Sequence, residues 1–358
     1  MIYQGDAKEY IYDTPGILCK ILKNEQAILE ESMGFLKKRK ISEIWLTGSG
    51  SSYNAAASAA AFAKKTLGIR VTPVYPVMLM EDCRFLSEDA VVLGISQQGT
   101  STAVIEALDK VRKQGIIGIS VTGEYNTEIT RHSDRNIYVE CDYEDAGATT
   151  KGYTATVLTL FLFALRLGRE TGKISECQFV NDKERLKKVI ENMDRILETC
   201  EDWCQETAEK LKRSRDMVII TANTLQGALL EGVLKFSETC RFPVRGYEAE
   251  EFMHGVYNAV TEETDFLYFF PPDGYELKRM EQLFKYYERQ GYCQYAVNWK
   301  GSSNAYGRVF LNDPDFSVLE YTLPQQMLFV LTSRERKIDL NIPKDPDFHK
   351  YMGSKLEK

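Results

Sequence analysis

A chain of 358 residues holds about two domains at roughly 150 residues each. Its 44 % apolar content supports buried cores and excludes a disordered or fibrous chain. Its formal charge of −7, with no basic stripe, argues against a nucleic-acid partner. A small phosphorylated ligand stays open, because backbone N–H groups and hydroxyls hold one with little help from net charge. No apolar leader follows Met1 to Tyr10. The longest apolar run, Ala155 to Leu165, is broken by Thr156 and Thr159 and falls far short of the roughly 20 residues that span a bilayer. The eight cysteines form no Cys-x-x-Cys pair, and Cys200 and Cys204, four apart, have no histidine near them. The expectation is a cytoplasmic chain without metal site or membrane partner, its thiols mostly packing residues.

In chain order, residues 16–39 carry the pattern of an amphipathic helix. The strand 43–46 runs into Thr47-Gly48-Ser49-Gly50-Ser51-Ser52, and an Ala-rich helix follows over 54–67. A second strand spans 70–75. A third, 90–95, ends in Ser96-Gln97-Gln98-Gly99-Thr100-Ser101-Thr102, ahead of a helix over 103–114. Strands at 116–121 and 135–139 complete the half. Strands alternating with helices imply a parallel sheet flanked by helices. Residues 176–214 read as a charged linking helix with a solvated face.

The pattern then repeats: strand 217–220, helix 226–240, strand 266–270 ending in Pro271-Pro272-Asp273-Gly274, helix 275–290 and strand 292–298. Ile44 corresponds to Val218 and Gly115 to Gly291, at nearly constant offset, so two copies of one α/β unit are expected. The expected layout is a helical extension (1–40), a first unit (41–172), a helical linker (173–214), a second unit (215–340) and a tail (341–358).

The turns after the strands 43–46 and 90–95 suit an oxyanion. Glycine permits close backbone approach, hydroxyls donate, and the following helix N-terminus adds free N–H groups. Each turn alone reads equally well as helix capping. Two at the carboxyl ends of one sheet point to a ligand. Gly48-Ser49-Gly50-Ser51-Ser52-Tyr53 lacks the third glycine of a dinucleotide fingerprint, and neither turn has a Walker lysine.

These turns resemble those of the sugar isomerase (SIS) family of phosphosugar-binding domains, and Ala148-Thr149-Thr150-Lys151-Gly152 resembles a third segment of it. In the second half, the run Leu230 to Glu238 and the segment Glu251-Phe252-Met253-His254-Gly255 resemble the isomerase half of glucosamine-6-phosphate synthase. The resemblance implies two tandem SIS domains. It implies a phosphosugar site at Gly50, Ser51, Ser52, Ser96, Gln97, Gln98, Ser101 and Thr149, with Glu231 contributing. There are departures. Gln98 stands where the family pattern has serine, the second half carries Pro271 and Pro272 at the equivalent loop, and no glutaminase domain with its nucleophilic cysteine is expected. One phosphate site per chain, held by the first half, is the expectation.

Sugar isomerisation needs one group to move a proton between adjacent carbons and another to open the ring. Glu238, on one face with Glu231 and Lys235, matches the family's isomerising glutamate, and without the match it reads as a solvent-facing glutamate. His254 matches the ring-opening imidazole, which in the family often enters from a neighbouring subunit, implying a homodimer with shared sites. His132 reads as structural. The tail resembles tails that fold over the site, with His349, Lys350 and Lys355 as possible contacts and a solvated basic end as the alternative.

The combination resembles bacterial fructosamine-6-phosphate deglycases. The resemblance implies cleavage of a phosphorylated sugar-amine to a hexose 6-phosphate and a free amino acid, without metal or redox cofactor. A glucosamine-6-phosphate deaminase or aldose–ketose isomerase is the near alternative, and a sugar-phosphate sensor the alternative of another class.

Overall fold

The computed structural model describes residues 3–302, 304–307 and 309–356, so the outermost two residues of the expected extension and tail lie outside the described residues. Helix α1 (Ala7–Lys23) and α2 (Glu25–Leu36) meet at Asn24. The helix expected over 16–39 therefore starts earlier, where the Asp6 carboxylate accepts from the Lys8 N–H, and is broken in the middle.

The first unit comprises β1 (Glu43–Thr47), α3 (Ser51–Leu67), β2 (Arg70–Val74), α4 (Pro76–Asp82), β3 (Ala90–Ile95), α5 (Thr102–Lys113), β4 (Ile117–Thr122), β5 (Arg135–Tyr138) and α6 (Lys151–Glu170). Helix α7 (Glu176–Leu211) leads to the second unit: β6 (Asp216–Thr221), α8 (Gln226–Cys240), β7 (Val244–Glu248), α9 (Ala249–Phe252), β8 (Thr264–Phe269), α10 (Tyr275–Glu288), β9 (Gln294–Val297), β10 (Ala305–Tyr306) and α11 (Val318–Glu335). The tail carries α12 (Phe348–Met352).

All recorded strand pairs are parallel. The sheets run β2-β1-β3-β4-β5 and β7-β6-β8-β9-β10, one strand order used twice. In each, chain direction reverses across the sheet between the first and third strands of the unit, which opens a crevice at their carboxyl ends. Strand β3 is buried at every position, as a central strand covered on both faces must be.

The largest apolar cluster crosses the units, joining Ile44, Val91, Phe161, Leu186, Ile219 and Phe329. Helix α7 is more than a link: Leu186, Ile190, Met193, Leu197, Cys200 and Cys204 are buried along one face, with Asp182 buried beside them and paired to Arg185, while its other charged residues reach solvent. The equivalent helices α3 and α8 pack directly on each other, so close that a Cβ at Gly227 would lie 2.0 Å from Ser58 Oγ. Among the described residues no helix is long and apolar enough to cross a membrane.

Candidate active site

Two loops at the switch point of the first sheet form the floor. After β1 the chain turns through Gly50, whose φ of +58° favours glycine, and α3 begins at Ser51, three residues earlier than the sequence suggests. After β3 it turns through Gly99, with φ +64°, where a Cβ would fall 2.0 Å from Thr127 Oγ1. Ser96 is buried, and its Oγ accepts from the Ser101 N–H at 3.4 Å, closing the second loop on itself.

Helix α8 supplies one wall. Glu231 is buried and takes two hydrogen bonds across the interface, from Ser51 Oγ at 2.8 Å and Asn54 Nδ2 at 2.7 Å. Burial raises its pKa, opposed by the nearby Lys235 ammonium and by these two donors. One turn on, Lys235 is buried and donates to Glu238 Oε2 at 2.9 Å. Burial alone would lower the Lys235 ammonium, but Glu238 and Glu231 outweigh it and hold its pKa up. The next position on this face, Glu238, has a side chain 43 % exposed. The face thus runs from a buried carboxylate through a buried cation to a carboxylate that reaches solvent.

The tail closes over the second loop. Leu356 N–H donates to the Thr100 carbonyl at 2.9 Å, Thr102 N–H to the Ser354 carbonyl at 3.4 Å, and Thr102 Oγ1 to the Gly353 carbonyl at 2.9 Å. Ser101 and Lys355 form an antiparallel bridge. His349 Nδ1 lies 2.8 Å from Ser354 Oγ. Burial and the Lys355 charge lower the His349 pKa, with Glu238 pulling the other way.

Not every residue of the sequence reading faces this space. Ser51 spends its hydroxyl on Glu231. The Gln97 side chain turns inward, donating to Cys141 Sγ at 3.0 Å and accepting from Thr156 Oγ1 at 3.4 Å, while burial pushes the Cys141 thiol up to about 11. Ser52, Gln98, Ser101 and Thr149 are partly exposed along the loops. His254 is exposed on the turn after α9, its N–H bonded to the Glu251 carbonyl at 3.1 Å, and no contact with Glu238 is recorded within the chain. His132 is held by Asp109 at 2.8 Å and Glu128 at 3.2 Å.

Sequence reasoning missed two residues. Asn54 fixes Glu231 from the facing helix, and spacing within one helix does not reveal a partner on another. Glu144 accepts from the N–H groups of Thr150, Lys151 and Gly152 and from Thr150 Oγ1, all at 2.6–3.2 Å. Its carboxylate therefore satisfies the N-terminus of α6, which the Thr149–Lys151 segment otherwise offers to an anion. The only sequence hint is an acid a few residues ahead of a helix start.

The model of the SIS domain matches residues 36–166. A structure from Clostridium difficile 630, provisionally described as a phosphosugar isomerase, is 28 % identical with TM-score 0.90, covering 99 % of this chain and all of that one. One from Salmonella typhimurium LT2, provisionally described as a sugar binding protein, is 31 % identical with TM-score 0.82, covering 91 % of this chain and 99 % of that one. The glutamine–fructose-6-phosphate aminotransferase (isomerizing) of Pyrobaculum aerophilum is 25 % identical over 313 residues, 84 % of this chain and 50 % of its own length. The chain spans about half or less of the curated relatives it matches.

Proposed function

The chain belongs to the SIS-domain family, and on that premise we propose that it is an enzyme that moves protons on a phosphorylated sugar-amine, releasing a hexose 6-phosphate and a free amino acid. The observation that carries the reading is the bridge from Glu231 to Ser51 and Asn54. It sets the α8 face, with Lys235 and Glu238, beside the hydroxyl-rich loops. The phosphate is held by the loops 49–52 and 96–101, through hydroxyls and the amides opening α3 and α5. Glu238 moves a proton between the first two sugar carbons, turning a ketoamine through an enolamine into an imine that water hydrolyses. Lys235 fixes the Glu238 carboxylate by its hydrogen bond. His254 opens the ring from a second copy of the chain, which makes the working form a homodimer.

The test is incubation of the purified protein with several fructosamine 6-phosphates and measurement of hexose 6-phosphate released. Release from at least one conjugate is expected; release from none refutes the deglycase reading. The second reading, an aldose–ketose isomerase, is favoured by the description of the Clostridium difficile structure, and interconversion of plain hexose 6-phosphates would support it. A sugar-phosphate sensor is separated from both by Glu238→Gln, which should leave a sensor unaffected.

A further inference from the structure

The amino end of the first sheet carries a group of cations that the crevice chemistry does not use. Residues 37–40, Lys-Lys-Arg-Lys, follow directly on α2 in a chain of net charge −7. Arg135 opens β5, so it stands at the end of the sheet opposite the crevice. Helix α2 packs on β5, and the two segments meet on one side chain. The Arg39 guanidinium carbon lies over the Phe35 ring, 4.2 Å from its centre, and that of Arg135 lies 4.4 Å from the same centre. Beside them is a cleft of about 620 Å³ lined by Glu31, Gly34, Phe35, Lys38, Arg39 and Arg135. A guanidinium held over a ring is fixed in place and keeps N–H donors for an acceptor.

These cations are only partly compensated. Lys40 pairs with Asp89 at 2.7 Å and does not line the cleft. Arg135 Nε lies 3.4 Å from Glu31 Oε1, and its Nη1 donates to the Asp134 carbonyl. Among the described residues no carboxylate pairs with Lys38 or Arg39. One acid, Glu31, therefore shares the cleft with three cations. Cations after a helix C-terminus complement its dipole, which accounts for Lys37 and Lys38. It does not account for Arg135, brought to the same ring from a strand. Like charges gathered on one cleft repel, and a ligand with more than one negative charge relieves them. Guanidinium forks match phosphate oxygens in pairs. A single phosphate is small for about 620 Å³, a volume in the range that holds nucleotide-sized ligands. We infer that this cleft binds a pyrophosphate group, free or within a nucleoside diphosphate, at a site separate from the sugar crevice. Arg39 and Arg135 hold the two phosphoryl groups, and Lys38 adds a point charge beside them. Glu31 accepts from the hydroxyls of an attached ribose, a role acidic residues fill in nucleotide sites. The site binds without chemistry and does not depend on the reaction proposed above.

Calorimetry on the full chain, with inorganic pyrophosphate and with ADP as probes, tests the site. Saturable binding of at least one probe is expected at a dissociation constant below about 1 mM, weakening as salt is raised. Arg39→Gln and Arg135→Gln should each weaken it about tenfold, the loss of a charged hydrogen-bonding group. Arg39→Lys keeps the charge but not the fork and should weaken it nearly as much. Lys40→Gln should leave it unchanged. Lys38 and Arg39 are exposed, so folding is not at stake in their variants. The tighter of the two probes identifies the source of the pyrophosphate group. Binding of neither probe overturns the site. So does full affinity in Arg39→Gln or in Arg39→Lys, which would reduce the cluster to a solvated basic surface. A loss in Ser96→Ala with none in the arginine variants overturns it as well, because the probe would then sit on the crevice loops.

Discussion

The two units of this chain share a strand order and differ in what stands at the mouth of their crevices. In the first, β1 and β3 run into turns with a glycine at positive φ followed by serines and threonines, and no side chain caps the helices behind them. In the second, β8 leads into Pro271 and Pro272, which have no N–H to offer, and Asp273, which repels an anion. Its crevice end is aromatic: Phe270 stacks on Trp299 at 4.5 Å, and Tyr268 and Phe284 pack beside them. Strand order makes a crevice; the residues of two short turns decide whether a phosphate can use it. The second unit instead lends its first helix, α8, whose polar face is pressed against the first unit.

That division of labour can be broken at each of its parts. The largest effect is expected for Glu238→Gln, which should cost about 10²–10⁴-fold in kcat while leaving hexose 6-phosphate binding intact, read by steady-state kinetics and calorimetry. Equal loss of binding would mean that α8 holds the ligand as the first unit does. Next comes the seam itself. Gly227→Ala puts a methyl 2.0 Å from Ser58 Oγ and 2.5 Å from the Ser58 amide nitrogen, and backbone cannot step aside. A stability loss of roughly 1–3 kcal/mol is expected in thermal unfolding, with activity falling further than stability as Glu238 shifts away from the loops.

A complementary result should come from the first unit. Ser96→Ala removes a buried hydroxyl at the second loop and should raise KM about tenfold with kcat nearly unchanged, the reverse of the Glu238 pattern. The smallest effect concerns the tail. The His349 pKa is lower in the docked tail than an ordinary imidazole's, so the released tail binds the proton more readily. The contribution of this group to docking is therefore fully present above about pH 6.5 and lost as pH falls through that value toward the lower docked one. The Leu356 amide resonance should shift toward its undocked position over this interval in the wild type and stay put in His349→Gln.

Much of this was legible in order along the chain. Alternation of apolar strands with helices gave the parallel sheets, and the near-constant offset between Ile44 and Val218 gave the repeat. The boundaries drifted where a cap or a turn decided them: Asn24 splits the first helix, and α3 starts at Ser51 because Gly50 supplies the left-handed turn before it. Glycines and hydroxyls in the turns after β1 and β3 marked the loops, since backbone conformation and hydrogen-bonding capacity are local properties of residue type.

What the residues face was not local. Ser51 and Ser96 look alike in the sequence, yet one hydroxyl is taken by a carboxylate from a helix 180 positions away and the other closes its own loop. Gln97 and Gln98 are both partly exposed, yet the Gln97 side chain is bonded to Cys141 and Thr156 on elements far along the chain. The order of residues determined which elements form and which carry the chemistry of anion binding. The packing of α3 on α8 and the return of the tail to Thr100–Thr102 decided which of those groups meet, because contacts between residues far apart in the chain depend on how buried faces fit together.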